Sequence, residues 1–436
     1  EGPWPRMTVA ARQRILRDIA ATLLRHADEL AYLECVNTGI VMREIRQRHL
    51  PRAAANFEFF ADHIASGGGE VYRQTPGYIT TVLREPAGVA ALISPWNAPL
   101  ALASMQIASA IAFGCTAVLK PSEQAPLAVA RMVALLHEAG LPAGVVNLVQ
   151  GRGTSTGHAL VSHPQVNRVC FTGGTETGRR IMQAAAANLV PCTLELGGKS
   201  ANVVFDSADL DRAIDGALLG IFSNNGQQCL AGSRILVQRS IFDRFVEAFV
   251  GRARALRVGH PLAQGTELGP LASEAQRGRV LGFAERAAEE GCTLLTGGRS
   301  VAGPGGGYYV EPTAVLAPHT QCSVAQQEIF GPFATLLSFV DADEALKLAN
   351  DTSFGLVSYV WSDHLPTVTR MTEGLRSGVV WVNTPMMREL RAPFGGWKAS
   401  GVGRQGGHSC EAFLTEEKPV NVPTIAPVLR RLGTGA

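Results

Sequence analysis

The chain has 436 residues, with 39 Lys and Arg against 37 Asp and Glu and a formal net charge of +2. So even a balance offers no field for capturing nucleic acid or an anionic membrane surface. The length exceeds one compact core and calls for two or three domains, and a content of 46% hydrophobic and 17% charged residues is that of an ordinary globular protein.

Residues 8–33 carry apolar side chains at a spacing near 3.6, which predicts one amphipathic helix. A second helix is expected from Pro51, a residue suited to a first turn, through AAANFEFFADHI. Gly67, Gly68 and Gly69 break that pattern. Tyr72 to Leu83 is β-rich with a Pro-Gly turn inside it, the pattern of a hairpin arm. From residue 86, short apolar runs (VAALISPW, TAVLKPS, GVVNLVQG, RVCFTGG) alternate with helical stretches. That alternation predicts βαβ units and a parallel sheet covered on both faces. Gly140 is placed to cap one of these helices, with Pro142 following. Leu100 to Leu119 lacks charge and approaches the ~20 residues of a membrane span. Its Ala and Ser content, Gln106 and the want of a flanking positive cluster make it a buried helix and strand instead. A second α/β pattern runs from about Asn202 to 412, with a glycine-rich loop at 297–310 and a last strand at Lys418 to Val422. The chain opens at Glu1 without Met, so the true N-terminus is expected upstream, and no signal peptide is visible.

Eight cysteines occur without a C-x-x-C pair, which excludes a zinc ribbon or thioredoxin motif. Their density is too low for a disulfide scaffold. Reduced thiols in a cytoplasmic setting are expected, and no metal site.

Several segments carry chemistry. Gly151 to Gly157 follows a strand but has G-x-G-x-x-x-G spacing, which departs from the usual dinucleotide fingerprint. Phe171 to Gly178 also follows a strand and opens a helix, where backbone N–H groups hold a pyrophosphate or simply make a turn that needs glycine. Lys120, Ser122 and Glu123 lie at the carboxyl end of a strand, where open α/β sheets bind ligands. Lys120 and Glu123 suit ribose hydroxyls, and the carboxylate disfavours an added 2′-phosphate; a solvated loop with Ser122 as a helix cap is the alternative. Cys229 sits in the polar run Asn224 to Gln228, where a thiolate is expected to be exposed, although most lone cysteines are inert packing residues. Glu195 stands between two leucines and two glycines, and burial there would raise its pKa toward that of a general base.

Taken together, SPWNAPL (94–100), KPSE (120–123), FTGGTETG (171–178), LELGGKS (194–200), GQQC (226–229), EIFGP (328–332) and PFGGWKASGVGR (393–404) resemble the aldehyde dehydrogenase superfamily over essentially the whole chain. The resemblance implies an α/β fold: a Rossmann-like parallel-sheet NAD-binding domain (1–66 and 86–197), a second α/β catalytic domain (198–412), and a small β oligomerisation arm and strand (67–85 and 413–424). It implies a homodimer or homotetramer, and about fifty further residues ahead of this start. It assigns Cys229 as nucleophile, Glu195 as the base that hydrolyses the thioester, and the Asn97 amide with the Cys229 N–H as oxyanion donors. Cofactor contacts fall to Trp96, Lys120, Ser122, Glu123, Gly153, Gly157, Phe171, Gly173, Gly174, Thr177, Leu196, Glu328 and Phe330. Gly174 stands where many relatives have serine, so a side-chain contact to pyrophosphate is lost there.

The segment Thr384 to Pro393 resembles the branch that oxidises muconic semialdehydes from aromatic degradation, whose substrates carry a carboxylate. Arg52, Arg388 and Arg391 are the candidates to bind it, each weighed against a plain salt bridge. A broad-specificity enzyme for neutral aldehydes and a catalytically silent structural relative are the competing readings. A CoA-acylating enzyme is disfavoured by Glu195.

Overall fold

The computed structural model describes residues 2–430 and 432–433. Two large sheets organise them. The first has the strand order Gly401–Val402, Cys192–Glu195, Arg168–Thr172, Val89–Ser94, Thr116–Pro121, Val146–Leu148, all parallel except the first strand. Val89–Ser94 explains why such strands read as continuous apolar runs: Ala90 and Leu92 enter one core, Ala91 and Ile93 the other. Pro99–Ala112 is buried along its whole length, and its Gln106 donates to the Ile93 carbonyl (3.2 Å) and Thr172 Oγ1 (3.3 Å). Among the described residues no helix is long and apolar enough to cross a membrane.

The second sheet has the order Thr293–Thr296, Thr313–Leu316, Phe333–Phe339, Arg234–Gln238, Ala201–Val204, Val357–Trp361, Val379–Val382, parallel apart from its first pair. Val203 and Leu236 face one core; Val204, Ile235 and Val237 face the other.

A third, antiparallel sheet joins Glu70–Tyr72, Tyr78–Pro86 and Thr415–Pro423. The hairpin and the final strand expected from sequence are both present, and they pair with each other in this chain from Pro86↔Thr415 to Tyr78↔Pro423.

Two local expectations differ. The helix predicted over 8–33 is two helices, Val9–Arg25 and Ala27–Thr38, broken at His26. Thr22 turns its hydroxyl back to Asp18 O while Arg25 donates to that same hydroxyl, and His26 leaves helical geometry. The second of these helices ends on Gly39 at φ +77°, a left-handed cap that side chains resist. Ser122 caps no helix: its Oγ accepts from Gln124 N (3.3 Å) in a turn, and the next helix, Leu127–Glu138, starts five residues later.

Candidate active site

Cys229 lies on a loop leaving the helix Leu210–Phe222. Asn224 and Asn225 both take left-handed backbone conformations (φ 54° and 55°), which short amide side chains tolerate. The polar side chains that suggested exposure are pins. Asn225 Nδ2 donates to the carbonyls of Gly39 (2.9 Å) and Pro270 (3.0 Å), and its Oδ1 accepts from Gly269 N (2.8 Å). Asn224 Nδ2 donates to the carbonyls of Asn97 (2.7 Å) and Gln227 (3.0 Å). Gly226, at φ +69°, has no room for a Cβ, which would lie 2.2 Å from the Gly331 carbonyl carbon. The expectation of an exposed thiolate is therefore corrected: Cys229 is half-buried, and burial, with Glu328 and Glu195 nearby, pushes its thiol up to about 12.

Two cavities meet at this residue. A cleft of about 730 Å³ and a second cavity of about 430 Å³ share Cys229, Glu195, Asn97 and Thr172 in their walls. Glu195 ends the strand Cys192–Glu195, paired on one side with Thr172 and on the other with Gly401. It is 6% exposed, neither carboxyl oxygen has a hydrogen-bond partner, and burial raises it to about 8 against the pull of Arg388 and Arg404. Asn97 follows the strand Val89–Ser94, and its amide donates to the Gln227 carbonyl (2.9 Å), leaving a second amide hydrogen unengaged by that bond.

Trp96, Gly173, Gly174, Thr177, Leu196, Glu328 and Phe330 all border the larger cleft. Trp96 and Phe330 meet edge to face at 5.3 Å. Phe330 takes φ 63°, held by Gln276 Nε2 donating to its carbonyl (2.6 Å). Glu328 Oε1 accepts from Gly198 N (2.9 Å), and a Cβ on Gly197 would strike its Oε2 at 2.3 Å. Burial raises Glu328 to about 7 and lowers the neighbouring Lys199, whose Nζ is buried without a partner, to about 7.

The remaining cofactor candidates sit differently. Phe171 packs in the apolar core with its ring under Gly173, where a Cβ would meet it at 2.4 Å; it shapes the turn and does not line the cleft. Lys120, Glu123, Gly153 and Gly157 gather in a neighbouring cluster. Lys120 Nζ donates to Pro121 O (2.8 Å) and Glu123 Oε2 (3.3 Å), Glu123 Oε1 accepts from Gly153 N (3.4 Å), and a Cβ on Gly157 would touch the Lys120 stem at 3.6 Å.

The cleft has the features a dinucleotide requires. Its volume falls within the roughly 300–1,000 Å³ of ligand sites. The helix Thr175–Ala186 opens on it without a side-chain cap, so its first N–H groups are free for a phosphate. A Cβ on Gly174 would meet nothing within 4 Å, so the space a side chain would fill belongs to the cleft.

The second cavity is lined by Arg48, Arg52 and Arg388. Arg52 Nε, and Arg388 Nε and Nη2, are buried without hydrogen-bond partners. Burial lowers Arg52 to about 9, with Arg388 adding to the effect, while the Arg388 guanidinium lies 4.6 Å over the Phe394 ring. Arg391 is corrected: it is exposed and paired with Glu389 (2.7 Å), outside the cavity. Sequence reasoning missed Arg48, which bonds Glu44 and reaches Met386 Sδ (3.6 Å), and Thr172; the second lies inside the quoted FTGG run and could have been found there.

Two cavities meeting at one cysteine on an α/β frame make this junction a candidate active site. The aldehyde dehydrogenase family profile matches residues 1–420. The chain is 43% identical to the 5-carboxymethyl-2-hydroxymuconate semialdehyde dehydrogenase of Escherichia coli, over 93% of this chain and 86% of that protein. It is 41% identical to the 2-hydroxymuconic semialdehyde dehydrogenase of Pseudomonas sp. (strain CF600), over 97% of this chain and 88% of that protein. The solved betaine aldehyde dehydrogenase of Staphylococcus aureus in complex with NAD+ superposes with a TM-score of 0.96 at 36% identity, covering 99% of this chain and 86% of that one. The chain belongs to the aldehyde dehydrogenase family.

Proposed function

We propose that the protein oxidises a carboxylated semialdehyde to the acid with NAD as hydride acceptor, and that Cys229, Glu195 and Asn97 carry the reaction. The single observation behind this is that these three residues line both cavities at once. The larger cleft serves the dinucleotide, and the arginine-lined cavity serves the substrate. The nicotinamide, when bound, takes up the hydride.

Cys229 Sγ attacks the aldehyde carbon as its thiol proton leaves, giving a thiohemiacetal. Half-buried and protonated at rest, the thiol releases its proton to solvent along the cleft as it attacks. The Asn97 amide and the Cys229 backbone N–H donate to the oxygen as it gains charge; losing one such donor typically costs ~10²–10³ in rate. A thioester follows. Glu195 then takes a proton from water, the resulting hydroxide attacks the thioester and releases the acid, and the proton passes from Glu195 to the departing thiolate, restoring both groups.

The substrate class rests on the buried, unpartnered nitrogens of Arg52 and Arg388, which a carboxylate would satisfy in bidentate fashion. A cationic aldehyde such as a betaine precursor is disfavoured in a cavity bearing Arg48, Arg52 and Arg388. In this reading 1–66 with 86–197 form the cofactor domain, 198–412 the catalytic domain, and 67–85 with 413–424 an oligomerisation surface of a homodimer or homotetramer. Its eight free thiols accord with the cytoplasm.

NADH absorbance with a panel of carboxylated and neutral aldehydes tests the substrate class, and Cys229→Ala tests the chemistry. The variant should bind NAD and turn over nothing. Turnover by purified Cys229→Ala rejects the nucleophile, and a preference for neutral aldehydes rejects the substrate class.

A further inference from the structure

Outside the reaction site, three metal-ligating side chains converge that the sequence keeps far apart. His63 belongs to the helix Leu50–Ala65, which also carries Arg52. His408 and Glu411 sit one turn apart on the helix Gly407–Leu414, which starts two residues after Gln405, a wall residue of the arginine cavity. We propose that His63, His408 and Glu411 form a site for a divalent transition metal of the zinc class, bracing these two helices beside the substrate cavity.

The geometry carries the proposal. His408 Nδ1 lies 3.1 Å and His63 Nε2 3.6 Å from Glu411 Oε2. One donor atom from each residue falls within 4.8 Å of the others. Tetrahedral zinc with bonds of about 2.0–2.1 Å sets its donors roughly 3.3 Å apart, and the two observed separations bracket that value. Two imidazoles and a carboxylate are the ligand set of many zinc centres, and they leave a fourth position for water.

The site is also held in shape. The His63 ring stacks on Phe59 at 5.7 Å and meets Phe113 edge-on at 5.9 Å. The His63 and Glu411 side chains are 13% and 15% exposed, while His408 is 92% exposed, so the cluster is walled on one side and open to an arriving ion on the other. Among the described residues no Lys or Arg pairs with Glu411, so its charge is committed only to the two imidazoles.

The test uses the full chain carrying Cys229→Ala, which removes the catalytic thiol as a competing ligand. Chelator-treated protein is titrated with Co2+ and with Zn2+, following visible absorption, heat and melting temperature. Expected are one tight equivalent per chain, a Co2+ spectrum without sulfur-to-metal charge transfer, and a melting temperature that rises with Zn2+. Adding His408→Ala, or separately Glu411→Gln, should weaken binding by at least the ~10–100-fold that losing an outer-shell partner alone costs. His408→Ala should melt with the parent in metal-free buffer, His408 being a surface side chain. No tight equivalent in the parent, or equal affinity in the parent and both variants, overturns the proposal and leaves the cluster a hydrogen-bonded surface group.

Discussion

Replacing Arg388 with Met probes the carboxylate reading most directly. Arg388 shares its cavity with Cys229; its Nε and Nη2 are shielded and unbonded, and its guanidinium covers the Phe394 ring at 4.6 Å. Methionine keeps an unbranched apolar stem and removes the charge with its donors. Hydrogen bonds to charged groups contribute about 1.5–3 kcal/mol each, so a bidentate contact amounts to about 3–6 kcal/mol. Arg52 remains as a substitute donor, so the lower figure applies, and about 3 kcal/mol is roughly 100-fold in kcat/KM. The assay follows NADH formation with succinic semialdehyde and with butanal at pH 9. The alkaline pH matters because Arg388 is the foremost charge holding Glu195 down. Without it the base titrates higher still, and at pH 7 both substrates would slow for that reason alone. Arg388→Met should lose ~100-fold on the semialdehyde and stay within ~3-fold on butanal. Because an unpartnered buried charge opposes folding, the variant should melt at or above the wild type. Equal losses on both substrates, or none on either, refute the clamp.

The other predictions concern Glu195 and the nucleophile loop. The kcat of the wild type should rise with pH to a plateau above about 8, since Glu195 must be ionised to act as base in hydrolysis; a profile flat from pH 6 to 9 places the base elsewhere. Glu195→Gln should give one rapid burst of NADH per site followed by slow turnover, read by stopped flow, and normal steady-state turnover rejects the assignment. The same variant has a stability signature. With its folded value raised to about 8, Glu195 contributes stability that is fully present below the unfolded value and is lost as pH rises through about 8. Glu195→Gln should therefore match the wild type near pH 4 and exceed it by on the order of a few kcal/mol at pH 9 in denaturant titrations. Gly226→Ala forces a Cβ to 2.2 Å from Gly331 in a left-handed residue, whose backbone strain alone is about 1–2 kcal/mol, and should depress both activity and melting temperature.

The strand–helix alternation was legible because buried parallel strands leave continuous apolar runs, as in Val89–Ser94 with a core on each face. Cys229, Glu195 and Asn97 were legible through short runs whose glycines and amides the structure uses as fixed turns and pins. Arg48 was not, because its facing depends on the wide turn Ile45–His49, which no apolar spacing announces. Arg391 misled for a related reason: three residues from Arg388 in an irregular segment, it turns outward to Glu389. The exposure assigned to Cys229 failed because asparagine and glutamine read as solvated in a sequence, whereas here their amides close buried carbonyls. The His63 cluster has no sequence signal, since its ligands come from two helices at opposite ends of the chain.

The final strand does more than finish a small sheet. Arg168 of the first sheet donates to the carbonyls of Phe413 (2.5 Å) and Thr415 (3.4 Å), Ala87 N donates to Leu414 O (3.0 Å), and Gly401–Val402 forms that sheet's edge. On the ribosome, the segments made first must therefore wait for the last ones. Until residue 415 or so has emerged, the early half can acquire helices and local strand pairs but stays open at that border, a loop whose closure is slow because it is long. A nascent chain arrested before that point would be the form most exposed to chaperones and proteases, although nearly all of its dinucleotide cleft has already been synthesised.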